Sequence, residues 1–162
     1  MAKVARAARV ASRQRVEAIT ADKTIGSAET GELYLVDQSA GSVTITLPSR
    51  QDGAYFKFII SDELSALDSK KITIQSNASD VSNGEVVGSS ITLLDGANPA
   101  HGTHQSAAKS DAHYQFIIEA GASGQKLFAG SHVEVYCDGT TWYVSAVLRT
   151  SNAAVIGKFH GS

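Results

Sequence analysis

His101, Gly102, Thr103 and His104, with Asp111 and His113 close behind, are the residues of this chain best suited by type to ligate a metal ion. Imidazole nitrogen and carboxylate oxygen are the donors that zinc or nickel takes. Two histidines three apart in a glycine-containing loop, however, lack the fixed geometry of ligands on one helix face, so a solvated loop is expected and no metal is assigned. Gly121-Ala122-Ser123-Gly124-Gln125-Lys126 has the glycines and the lysine of a phosphate loop but not the G-x-x-x-x-G-K-[ST] spacing that cradles a nucleotide. A wide hairpin turn is the better reading. No G-x-S-x-G elbow precedes a helix, so the serines lack a nucleophile's setting. Asp62, Glu63 and Asp68 form the kind of polar turn that is usually solvated surface. Cys137 is the sole cysteine, which excludes an internal disulfide, and a small buried thiol is expected. No catalytic residue, metal or cofactor is assigned, and the chain is not expected to be an enzyme.

The remaining chemistry is electrostatic. Lys3, Arg6, Arg9, Arg13 and Arg15 put five positive charges into the first sixteen residues with no acidic residue among them, whereas nine basic and sixteen acidic side chains lie between Glu17 and Ser162. A short cationic terminus without a core of its own works by touching something else, a nucleic acid or an acidic protein surface. These five residues are the expected partner-binding set. Ordering sixteen residues costs roughly 16–32 kcal/mol of backbone entropy, and alanine supplies most of the arm's apolar surface, so the arm is expected to order only against a partner.

The elements that must carry this arm read as strands. Val43, Ile45 and Leu47 alternate with Thr44 and Thr46; Phe56, Phe58 and Ile60 with Lys57 and Ile59; Val133, Val135 and Cys137 with His132, Glu134 and Tyr136. A period of two buries one face of a strand. Asp138-Gly139 supplies residues that tolerate a hairpin turn, after which Trp142, Val144, Ala146 and Leu148 resume the pattern. Trp142 is expected in the core and Tyr143 on the surface. Ser61–Lys70 has the residues for a turn of helix, with Ser61 capping and Leu64 and Leu67 packing inward, but is too short for an independent helix and is read as a crossover. The chain thus predicts an all-β fold, an antiparallel β-sandwich or jelly roll with an extended basic N-terminal arm: arm 1–19, body 20–150 with a long polar insertion at 76–113, and C-terminal tail 151–162. At 162 residues one core is the limit, and no apolar run reaches the length of a membrane-spanning helix or of a secretory signal, so no membrane association or export is expected.

Gly31-Glu32-Leu33-Tyr34-Leu35-Val36-Asp37, Ser42-Val43-Thr44-Ile45-Thr46-Leu47-Pro48 and Val133-Glu134-Val135-Tyr136-Cys137-Asp138-Gly139-Thr140-Thr141-Trp142-Tyr143-Val144 together resemble β-domains of tailed-bacteriophage virion proteins, as found in capsid decoration (cement) proteins and tail-fibre modules. The resemblance runs from about Thr20 to Leu148. It implies a structural role with no catalytic residues: a homotrimer on the outer surface of the virion head that binds the major capsid protein and cements neighbouring subunits. The basic arm would reach onto an acidic capsid surface.

Two rival roles share the β architecture. A tail-fibre or receptor-binding domain would show exposed aromatics for stacking on sugar, and the aromatic residues here fall mostly in strand phase. A coat protein with a nucleic-acid-binding arm would have only five arm charges to neutralise phosphates, and its acidic body would repel the polymer.

Overall fold

The computed structural model of the chain describes residues 14–65, 69–77, 86–95, 102–105, 113–119, 126–151 and 157–161. In chain order these form β1 (Val16–Ile19), β2 (Lys23–Thr24), a single 3₁₀ turn (Ser27–Glu29), β3 (Leu33–Val36), β4 (Val43–Thr46), β5 (Asp52–Ile60), β6 (Leu64–Ser65), β7 (Lys71–Gln75), β8 (Val86–Asp95), β9 (Gly102–Gln105), β10 (His113–Glu119), β11 (Lys126–Leu127), β12 (His132–Asp138), β13 (Trp142–Thr150) and β14 (Gly157–Gly161). The fold is all-β, in two mixed sheets. The larger runs β1-β3-β5-β12-β13-β11-β6, with β8 also on β13 and β9 on β8; the smaller runs β14-β10-β7-β4-β2.

The sheets are mixed where antiparallel pairing was expected, and the reason lies in the path of the chain. Through its first half the chain alternates between sheets: β1, β3 and β5 enter the larger one, β2 and β4 the smaller. Neighbours within a sheet are therefore one excursion apart and run the same way, so that β1/β3, β3/β5, β2/β4 and β4/β7 are all parallel. A two-residue period reports which face a side chain takes and carries no information on strand direction. The later pairs β5/β12, β12/β13 and β7/β10 are antiparallel, as hairpin-style connections allow.

Alternation in the sequence is alternation in burial. Val43, Ile45, Phe56, Phe58, Phe116, Val135 and Trp142 are all buried, and the inward residues of both sheets join one hydrophobic core. Its centre is aromatic: Tyr34 stacks on Phe58 with ring centroids 5.4 Å apart, and Phe56 lies 6.0 Å from Trp142. Each such side chain contributes roughly 1.5–3 kcal/mol by leaving water. Cys137 is buried and free, and burial pushes its thiol up.

The Asp138-Gly139 turn joins β12 to β13 as expected. Gly139 takes a φ of 88°, and Asp138 Oδ1 accepts hydrogen bonds from Thr140 N, Thr140 Oγ1 and Thr141 N, each at 2.8 Å. Tyr143 donates its hydroxyl to the other oxygen at 2.9 Å. Hydrogen bonds from Thr140 above all hold the Asp138 carboxyl well below the ordinary carboxylate range.

The sequence-based boundaries shift in three places. Residues 16–19, assigned to the arm, are strand β1, because Val16–Ile19 pairs along the edge of the sheet with Leu33–Val36. The tail contributes β14 against β10, where Phe159 packs on the core 5.0 Å from Phe116. The insertion expected at 76–113 contains β8, parallel to β13 from Trp142↔Val86 to Thr150↔Asp95, with Val86 buried; it satisfies the backbone row that β13 turns away from β12. Ser61–Lys70, read as a crossover, stands between β5 of the larger sheet and β7 of the smaller. Ser61 donates its hydroxyl to Val36 O, and Leu64 is buried as expected but on the short strand β6, paired with β11; Leu67 lies outside the described residues.

Candidate functional site

β1 follows closely on residues 1–13, which lie outside the described residues. It is an edge strand, tied in at its start by Leu33 N donating to Arg15 O at 3.0 Å and by Gln14 Nε2 donating to Gly31 O at 3.3 Å. The Arg15 guanidinium pairs with Glu32 at 2.9 Å; the arginine side chain is 68% exposed and the glutamate 9%. Beside this pair, Lys23 reaches from β2 to Glu17 at 2.8 Å and Glu29 at 3.1 Å, and its ammonium lies 5.6 Å from the centre of the Tyr34 ring. Glu17, Glu29 and Glu32 bring carboxylate oxygens within 4.8 Å of one another.

Each member is placed by the local fold. Glu17 lies level with Tyr34 in the β1/β3 register. Glu29 ends the 3₁₀ turn and accepts from Gly26 N, which fixes its carboxylate over Lys23. Burial pushes the Glu29 carboxyl up, but the Gly26 N–H and the Lys23 ammonium outweigh it and hold the group below its ordinary value. The hydrogen bond to Glu17 pushes Lys23 up. Glu32 Oε2 and the Tyr34 hydroxyl are buried without a hydrogen-bond partner among the described residues, and burial, with the nearby Glu29 and Glu32 charges, pushes the Tyr34 phenol up. Three anions are thus held by two cations from the chain itself.

No protein-family model matches the chain, and no curated protein is similar to it. The reading of the site therefore rests on this geometry.

Of the five residues expected to bind a partner, Lys3, Arg6, Arg9 and Arg13 lie outside the described residues. Arg15 is described, and it is paired with the body's own Glu32. His101 and Asp111 also lie outside; His104 falls on β9, and His113 opens β10 with its ring 6.1 Å from Phe159. Gly121 to Gln125 lie outside, and Lys126 is engaged with Glu63 at 2.7 Å. Asp68 lies outside as well. Two clefts share Asp22: a polar one of about 250 Å³ lined by Lys23, Thr24, Thr44, Thr46 and Gln75 at the end of the smaller sheet, and one of mixed lining beside Thr20, Ala21 and Ala40 to Ser42. Asp22 Oδ1 accepts from Thr44 N at 2.7 Å, so this carboxylate holds the loop to β4.

The Glu17–Lys23–Glu29–Glu32 network was missed by sequence reasoning. Its one local signal is Gly26-Ser27-Ala28-Glu29, where a glutamate three residues after a turn's first residue reaches back to the backbone N–H. Chemically the arrangement is a clamp. It fixes the first described residues, from Arg15 on, to the edge of the larger sheet.

Proposed function

We propose that this protein is a virion structural protein that decorates the outer surface of a bacteriophage capsid as a homotrimer, binding the major capsid protein through its basic N-terminal arm. The two sheets, in this reading, are the halves of a β-sandwich of the jelly-roll kind. The observation that carries the reading is the clamp at the root of the arm: Arg15 on Glu32 beside Lys23 on Glu17 and Glu29. A tether adds affinity through the effective concentration it imposes, and the base from which this one would reach is held by backbone pairing and ion pairs at once. Single exposed ion pairs made by the arm contribute only about 0–1 kcal/mol each. Three arms on one trimer would bind at high effective concentration, so weak contacts sum to a strong anchor. The acidic body disfavours nucleic acid as the partner. Among the described residues no helix is long and apolar enough to cross a membrane. Labelling intact virions with gold-tagged antibody to the body tests the role: label over the head supports decoration, and label confined to the tail favours the tail-fibre alternative.

A further inference from the structure

The outward face of the larger sheet carries a row of three tyrosines. Tyr136 on β12 is the direct cross-strand neighbour of Tyr55 on β5 and of Tyr143 on β13, so all three project from the same level of the same face. Tyr136 is 45% exposed, and its ring stacks beside that of Tyr143 with centroids 6.4 Å apart. The row's inward neighbours Phe56, Val135 and Val144 fill the core, so the tyrosines are not needed there. Cross-strand aromatic pairing alone stabilises a sheet by about 0.2–1 kcal/mol, which leaves the exposed Tyr136 ring unaccounted for.

The charges around this row decide what it can receive. Lys57 and Glu134, one level along, are paired with each other at 2.7 Å. Asp138, at the end of the row, is fully engaged by Thr140, Thr141 and Tyr143, and Arg50 donates to Thr140 O at the same turn. Two cations, Lys57 and Arg50, stand among three anions, Glu134, Asp138 and its exposed cross-strand neighbour Asp52, so the face offers aromatic rings with a slight excess of negative charge, which repels an anionic chain. At about 4.8 Å between strands the row spans roughly 10 Å, the reach of a disaccharide. Phenol rings present an apolar face with a hydrogen-bonding tip, which matches the C–H face and rim hydroxyls of a sugar.

We propose that the Tyr55–Tyr136–Tyr143 row is a binding platform for a neutral polysaccharide chain. The platform is independent of the capsid role, since the row lies within the body and stays intact when the arm is removed. The test titrates the full-length protein with neutral hexasaccharides of glucose, mannose, galactose and N-acetylglucosamine, and with alginate as an anionic chain, following tyrosine ring signals by NMR and affinity by calorimetry. At least one neutral hexasaccharide should shift all three rings at millimolar concentration. Tyr136→Ala should weaken that binding at least tenfold and Tyr136→Phe by less, both with unchanged circular dichroism. Three results would overturn the proposal: no neutral sugar moves the rings, alginate binds more tightly than every neutral sugar, or the rings shift on dilution of the protein alone, which would assign the face to a second copy of the chain.

Discussion

Arg15 and Glu32 meet at 2.9 Å with the arginine side chain largely in solvent and the glutamate almost wholly out of it. The asymmetry makes the two ends of the pair energetically unequal. Removing Arg15 leaves a buried carboxylate with one partner fewer, whereas neutralising Glu32 leaves a solvated guanidinium. Arg15→Ala should therefore cost about 1 kcal/mol, and Glu32→Gln less than half of that. Urea midpoints measure both. Equal costs, or a larger one for Glu32→Gln, would mean that the pair does not hold the arm's root.

Lys23 gives a second handle on the same clamp. Its hydrogen bond to Glu17 pushes its folded value above the ordinary lysine value. The stability it contributes is thus fully present below about pH 10 and is lost as the pH rises through the raised value. Wild-type urea midpoints should fall across that alkaline window, and those of Lys23→Met should fall less. Lys23→Met should also be the less stable protein at neutral pH, because Glu17 and Glu29 then face each other without their cation. Parallel alkaline limbs for the two proteins would rule out the clamp as drawn.

At the β12/β13 turn the sign is reversed. The Asp138 carboxyl is held below the ordinary range, first of all by Thr140, so its contribution is complete above about pH 4 and is lost as the pH falls toward the depressed folded value. Asp138→Asn should lower the thermal midpoint at neutral pH, and the gap to wild type should narrow steadily below about pH 4. A gap of constant size from pH 7 to pH 2 would show that the charge on Asp138 contributes nothing to the turn.

The parts of the fold legible in the sequence were those set by local periodicity. Phe56, Val135 and Trp142 announced their burial through a period of two, and Asp138-Gly139 announced its turn through residues that fit one. Strand direction was not legible, because Val43 and Ile45 alternate in the same way whether β7 runs with β4 or against it. Nor was the site. Glu17, Lys23, Glu29 and Glu32 lie on β1, on β2, in the 3₁₀ turn and just before β3, and the parallel β1/β3 pairing that helps to gather them leaves no mark in the local pattern. The tyrosine row has the same origin: Tyr55, Tyr136 and Tyr143 share a level because the β5/β12/β13 register puts them there, a long-range fact that no window of sequence contains. Composition pointed to Arg15 as one of a partner-binding set, and the structure pairs it with the body's own Glu32.

The most direct measurement of the proposed role is co-sedimentation with empty bacteriophage heads, the partner that the proposal assigns to the chain. Full-length protein is compared with a variant lacking residues 1–13, which keeps β1 and the Arg15–Glu32 pair intact. Anchoring through the arm requires that the truncated protein stay folded and oligomeric yet lose tight binding. Full-length binding should weaken as salt rises, since exposed charges are screened beyond roughly 8 Å at physiological ionic strength. Equal binding of the two proteins in low salt would contradict this and place the capsid interface on the body.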